Sequence, residues 1–408
     1  MGRLAKVTTG MPRYSLLALL GACALIAGCG GTKLAIVNHQ VTVISSAPPS
    51  PAPQLGIPFT ATSNTTRVGG ANPTADAAGV ARAVYPALVP GTHPEAVTIA
   101  PTDDWQAALA SAVLMSAPIR APILLSGPGS LPAVTTEALS ALAPTGVGVA
   151  RQAQVIAVGD VPTPSGLRSA KITGANPFAL AAAIDTFQTE AAGRPSAAVI
   201  VAPASSAAYA MPAAGYAAES GYPILFVTAS GVPQATRQAL LAHGHPRIYV
   251  LGPQSVISHA VTKLLDKFGT VRRVDGSNPI SNAVAFSRYR DPPCPVGAGC
   301  VPGEGNFGWA VTSGGHGYVF ANVNRPLDAA AAAPLSGSGQ YGPLLLVQDA
   351  SALPQQDVND LLDNASGYNQ EGPTAAVYNH GWIIGDQSAI SGASQARIDS
   401  LLDVLPAK

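Results

Sequence analysis

The stretch TRVGGANPTADAAGVA (66–81) returns as AKITGANPFALAAAID (170–185) and again as RRVDGSNPISNAVAFS (272–287). Each copy reads basic residue, branched apolar residue, glycine, Asn-Pro, and then an apolar run with helical spacing. Asn ahead of Pro is pushed out of the helical region, so Asn72, Asn176 and Asn278 suit the N-cap of a helix whose first residue is the proline. The same helix starts, each with a cation a few residues upstream at Arg67, Lys171 and Arg273, are also candidate anion sites, because unpaired N–H groups and the helix dipole favour negative charge there. Glycines 70, 174 and 276 recur about every hundred residues. A period that long implies tandem small domains, since solenoid units are usually some 20 to 50 residues.

The flanks extend the repeat over whole units. PILLS (122–126), PILFVT (223–228) and PLLLV (343–347) lack polar alternation, as expected of strands covered on both faces. Leu131-Pro132, Val232-Pro233 and Leu353-Pro354 open further helices, and QVIAVGD (154–160), RIYVLGPQSVIS (247–258) and HGWIIGDQSAIS (380–391) supply a second strand type. Strands alternating with Ala-rich helices predict three α/β modules with three layers and mainly parallel sheets, over 65–168, 169–270 and 271–408. Segments 121–126, 222–228 and 342–347 are expected to be equivalent central strands.

Of the 408 residues, 47% are hydrophobic and only 11% charged, ample for buried cores. Lysine plus arginine equals aspartate plus glutamate at 22 each, which excludes the broad basic field of a nucleic-acid binder. Arg3, Lys6 and Arg13 precede the apolar stretch SLLALLGACALIAG (15–28), and Cys29 follows directly. That ending resembles a bacterial lipobox. It implies a signal peptide at 1–28, acyl chains on Cys29, and a protein tethered to the outer face of the plasma membrane. Residues 29–64 then form a linker, whose SAPPSPAPQLGIP (46–58) favours an extended spacer. Cys294 and Cys300 lie in DPPCPVGAGCVPGEG (291–305), an insertion peculiar to the third unit; in an oxidising exterior they read as a disulfide.

Catalytic patterns are poor. No G-x-S-x-G, H-E-x-x-H or paired C-x-x-C occurs. GEGNFG (303–308) matches a dinucleotide fingerprint formally, but it precedes a strand instead of following one. His243 and His245 lack a third metal ligand and sit where a helix should end. Asp103-Asp104 stands before a helix, where acidic side chains are favoured electrostatically. No catalytic residue, metal or cofactor is expected.

Taken together, the basic residue, branched apolar residue and glycine, the Ala-rich helix, Ala-Pro-Ile-Leu-Leu-Ser, the Leu-Pro helix start and Val-x-Gly with a following Ile-Ser resemble the cell wall binding repeat of type 2. The resemblance covers almost all of 66–408. It implies a Toprim-like, Rossmann-like module, three of which pack as a pseudo-trimer with internal threefold symmetry in a monomer. It also implies non-covalent binding of an anionic envelope polymer, a glycan or a teichoic-acid-like chain, for which Arg67, Asn72, Lys171, Asn176, Arg273 and Asn278 are the candidate residues. The sequence departs from the family where an Asp-Arg-Tyr-like segment is expected, reading Ala-Asn-Pro or Ser-Asn-Pro instead. Where the family has Phe-Pro-Asp-Ala-Leu-Ala, only Asp328 keeps the aspartate in register. A second class of function is an envelope solute-binding or substrate-handling protein, receptor or enzyme, with a cleft between repeats.

Overall fold

The computed structural model describes residues 58–292, 307–338, 342–368 and 377–406. The predicted lipidation site Cys29, the cysteines 294 and 300 and the start of GEGNFG lie outside them. Strands β1 (Pro58–Ala61) and β2 (Thr65–Val68) lead into helix α1 (Pro73–Val84). The first repeat continues with β3 (Val97–Pro101), α2 (Trp105–Ala110, prolonged by a 3-10 turn to Met115), β4 (Ile123–Ser126), α3 (Ala133–Leu142) and β5 (Val155–Val158). The second has β6 (Ser169–Ile172), α4 (Pro177–Ala192), β7 (Ala198–Pro203), α5 (Ala207–Ser220), β8 (Ile224–Val227), α6 (Gln234–Ala242), β9 (Arg247–Leu251) and α7 (His259–Leu265). The third has β10 (Thr270–Val274), α8 (Pro279–Arg288), β11 (Gly317–Asn322), α9 (Pro326–Gly337), β12 (Leu344–Val347) and α10 (Gln355–Asp363). It closes with β13 (Gly367–Tyr368), β14 (His380–Ile384), α11 (Gly392–Leu401) and β15 (Leu405–Pro406). Among the described residues no helix is long and apolar enough to cross a membrane.

The large sheets run β4-β3-β5-β6, β8-β7-β9-β10 and β12-β11-β14-β2, the last extended by β1. All their pairings are parallel except β1 with β2. The strand that opens each sequence repeat therefore belongs to the sheet of the repeat before it. β6 lies on β5, β10 lies on β9, and β2, from the start of the described chain, lies on β14 near its end. The ring of repeats is thus closed by a strand carried across from the first to the third.

Alternate residues of each strand face two different cores. In β5, Val155 and Ala157 face a local cluster while Ile156 and Val158 join a core common to all three repeats. Val199, Val201 and Leu225 of the second sheet, and Phe320, Leu345 and Ile383 of the third, likewise face local clusters. Their neighbours Ile200, Phe226, Ala321, Leu346 and Ile384 enter the common core. This two-sided burial is why the strands read as continuous apolar runs. The common core is built on α2, α5 and α9, whose alanines let the helices approach closely. A Cβ added at Gly337 would lie 2.8 Å from Cγ of Met115 and 3.0 Å from the carbonyl oxygen of Ala218, so all three repeats meet there.

The expectation of central strands at 121–126, 222–228 and 342–347 is corrected in one respect. β4, β8 and β12 are equivalent, but each stands at the outer end of its sheet. The Asn-Pro helices explain the mistaken reading. α1 packs on β4, α4 on β8 and α8 on β12, so each outer strand is covered by the helix of its own repeat. A covered edge and a central strand bury the same two faces.

Candidate functional site

The three cations of the repeated flank begin alike and end in different surroundings. Arg67 in β2 is 1% exposed. Its Nε donates to Gln395 Oε1 at 2.9 Å, one terminal nitrogen to the carbonyls of Gly385 (2.7 Å) and Asp386 (3.1 Å), and the other to those of Ile390 (2.7 Å) and Ser391 (3.5 Å). All five donors are committed within the chain. Burial pushes the guanidinium down to about 10, against the raising effect of Asp386 and Asp76, so it stays charged at neutral pH. Arg273 in β10 repeats the pattern with the carbonyls of Gly252 and Ile257, the latter at 2.8 Å. The carbonyls come from the loops GDQSAIS (385–391) and GPQSVIS (252–258). At the corresponding place the first repeat has GDVPTPS (159–165), and Lys171 in β6 is exposed with no such cage.

Asn72, Asn176 and Asn278 are N-caps, accepting from the amides of Ala75 (3.0 Å), Ala179 (3.0 Å) and Ser281 (2.9 Å). In the third copy Ser281 returns a bond to the Asn278 amide, completing a capping box. Around these helix starts the three sheets present their carboxyl ends, where ligands of open α/β sheets usually sit. Each crevice is filled differently. In the first, a cavity of about 320 Å³ is lined by Asp103, Asp104, Asp160, Lys171 and Asn176. Asp104 caps α2 through the Ala107 amide at 2.9 Å, and the other two carboxylates are exposed, which gives this crevice an acidic rim around one cation. In the second, Tyr209 packs beside Gly252 and its hydroxyl reaches the Ser277 carbonyl at 3.5 Å.

The third crevice holds an ion cluster that the repeat pattern did not reveal. Arg325, at the N-cap of α9, reaches Asp76 of α1 at 2.7 Å and Asp328 at 2.7 Å, and both carboxylates are fully buried. Asp76 also accepts from the Gly70 amide at 2.6 Å. Burial and the neighbouring Asp328 hold the Asp76 carboxyl well above the usual range, and burial pushes Asp328 up to about 6 against the lowering effect of Arg325. The cluster joins the first repeat's helix to the third repeat. Its sequence signal was slight: one carboxylate, Asp76, amid an alanine run, and one aspartate, Asp328, kept in family register.

A Ser-His-Asp arrangement lies at the opposite ends of the second sheet. His243 Nε2 is 2.8 Å from Asp185 Oδ2, and Ser196 Oγ is 3.4 Å from Nδ1. The hydroxyl, however, donates to the Ala198 carbonyl at 2.8 Å, while Nδ1 faces the Ser196 carbonyl at 2.9 Å. A carbonyl can only accept, so the imidazole has no lone pair to offer the serine. The histidine predicted to end a helix does so, as the C-cap of α6, and its Nε2 faces the Asp185 carboxylate. Burial lowers its pKa, but the bonds to Asp185 and Ser196 raise it above the ordinary value overall. Because the folded state holds the proton more tightly, the pair's contribution is full below about pH 6.5 and is lost as pH rises through the folded value. His243→Gln should therefore cost about 1–3 kcal/mol at pH 5.5 and clearly less at pH 9. A pH-independent loss in denaturant melts would overturn this. No cluster of metal-ligating side chains occurs among the described residues.

Residues 171–262 match the family Cell wall binding domain 2 (CWB2). Among curated proteins the sequence has no match. The fold is similar to that of Cwp6 from Clostridium difficile, with a TM-score of 0.63 at 16% identity over 83% of this chain and 48% of that one. It is also similar to Cwp8 from the same organism, with a TM-score of 0.61 at 18% identity over 84% of this chain and 52% of the other. The chain spans about half the length of either structure.

Proposed function

We infer that this chain, whose second repeat carries a cell wall binding domain of type 2, is a non-catalytic lipoprotein of the cell envelope that binds an anionic wall polymer. The observation that carries the reading is the family match at 171–262, inside an architecture of three units with like strand order. The geometry of the candidate residues refines it. Arg67 and Arg273 hold loops of their own sheets, and the three asparagines cap helices. Lys171 is the cation of the set that faces solvent. The protein is thereby a rigid adaptor: Cys29 and its linker reach the membrane, and the folded part reaches the wall. The Ser-His-Asp geometry, with its hydroxyl proton turned away from the imidazole, favours binding over hydrolysis.

Full-length protein in detergent should sediment with purified wall fragments and be released as salt rises, since exposed ion pairs are screened. Failure to sediment with any wall fraction at low salt would overturn the binding reading. The tether is tested separately: Cys29→Ser should move the protein from membranes into the medium, or leave it unprocessed, because acyl chains supply the anchoring. A processed Ser variant that still partitions with membranes would remove the lipid anchor from the account.

A further inference from the structure

The three sheets each end in a parallel strand drawn from the next repeat, β6, β10 and β2, and a free sheet edge is a surface that proteins normally cover. One of these edges is paired by the chain itself, and a second has a carboxylate of the chain packed beside it. β1 pairs along β2, with Thr60 opposite Arg67. Beside β10, the segment after α8 folds back and places the buried Asp291 carboxylate against Arg272 at 2.6 Å and Arg247 at 3.1 Å. Tyr289 also donates to it, as does Tyr249, and the Asp291 amide donates to the Phe307 carbonyl at 2.9 Å. The second sheet thus carries, next to its edge strand β10 and the end of α8, an anion held by two arginines.

The first sheet ends in the corresponding elements, β6 and α4, and among the described residues no carboxylate pairs with the cations there. Between β6 and the end of α4 runs a groove of about 510 Å³ lined by Arg151, Arg168, Lys171, Glu190, Phe187 and Val149, among others. Arg151, Arg168 and Lys171 are exposed, and among the described residues none has an ion pair. Arg151 lines the groove from a left-handed backbone turn at φ 56°. The half-buried Phe187 ring gives the groove an apolar wall, and Glu190 is its one carboxylate.

We propose that this groove is the polyanion site of the protein, taking an extended polymer that carries regularly spaced carboxylates or phosphodiesters. Three cations spread over two loops and an edge strand suit a chain of charges better than a single compact anion. At the edge of the second sheet the cations Arg247 and Arg272 are paired by Asp291 of the third repeat, whereas the groove at the edge of the first sheet has three cations and no such pairing, so one polymer site per molecule is expected and not three. The inference rests on the wall-binding reading for the source of the polymer, but not for the chemistry of the groove.

The test uses full-length protein in detergent with two soluble probes, polygalacturonate and poly(glycerol phosphate), alongside purified wall fragments. The triple variant Arg151→Gln, Arg168→Gln, Lys171→Gln changes exposed side chains, so its melting temperature should match the parent. The control Arg237→Gln, Lys263→Gln, Lys267→Gln removes three exposed cations from the second repeat. The expected result is a loss of about tenfold or more in affinity for one probe in the groove variant, little loss in the control, and a steep decline with salt in the parent. The preferred probe names the charge carrier as carboxylate or phosphodiester. Equal losses in both variants, or parental binding of both probes by the groove variant, would overturn the site. A parent that binds wall fragments while the groove variant binds them equally well also overturns it, and leaves the wall-binding reading standing. Groove-dependent probe binding without wall binding supports the site and removes the wall as its source.

Discussion

Replacing Arg67 by Met is expected to destabilise the protein by about 3–5 kcal/mol, because it removes the donor from the carbonyls of Gly385 and Ile390 and from the buried Gln395 amide oxygen. The loss should loosen β2 from the loop after β14 and so open the ring of repeats at its closing strand. Arg273→Met removes the same kind of bond from a half-buried site and should cost less. Lys171→Met should leave stability within about half a kcal/mol, as for other exposed positions. Denaturant melts of the three variants, made at equivalent positions of one repeated motif, give the ranking directly. Equal losses in all three would mean that the carbonyl cages are not what holds the outer strands.

Arg325→Met is the second large effect. It leaves Asp76 and Asp328 facing each other without their cation, and breaking a buried ion pair from one side costs about 3–5 kcal/mol. The pH dependence distinguishes this from a packing defect. Both carboxyls titrate above their ordinary range in the folded state, Asp328 at about 6, so protonation favours the fold. Their contribution is full below about pH 4 and is lost as pH rises through the folded values. Without Arg325 those values move further up, so the variant should be close to the parent near pH 4 and fall progressively below it toward pH 8. Adding Asp76→Asn and Asp328→Asn should restore much of the loss at pH 8. A deficit that is the same at both pH values would assign the effect to lost packing of the Arg325 side chain.

The repeat, its α/β character and the helix caps were legible because they rest on local chemistry: Asn-Pro sets a helix start, and two-sided burial makes an apolar strand. Strand partnership was not legible. A parallel pairing carries no hairpin turn to mark it, and TTRV (65–68) reads the same whether it opens one sheet or completes another against Gly381–Ile384, far along the chain. The divergence of the three cations was partly written in the chain. GPQSVIS and GDQSAIS supply carbonyl cages that GDVPTPS does not, yet that meaning emerges only once each loop is seen above the cation of the following repeat. The Asp76–Arg325–Asp328 cluster stayed hidden for a different reason, since its members come from separate repeats and no spacing connects them.

The placement of β2 also dictates an order of folding. Its partner β14 is synthesised about three hundred residues later, so the third sheet stays incomplete until all three repeats are available. Closing a loop of about three hundred residues instead of one hundred adds only about 1 kcal/mol of loop entropy, which makes the closure slow to arrive more than costly to hold. Until then β14 presents a free edge with apolar faces, the kind of surface through which two half-folded chains join. A neighbouring molecule's β2 could fill that edge as well as the chain's own, so folding at high concentration favours strand-exchanged dimers, and dilute refolding favours closed rings.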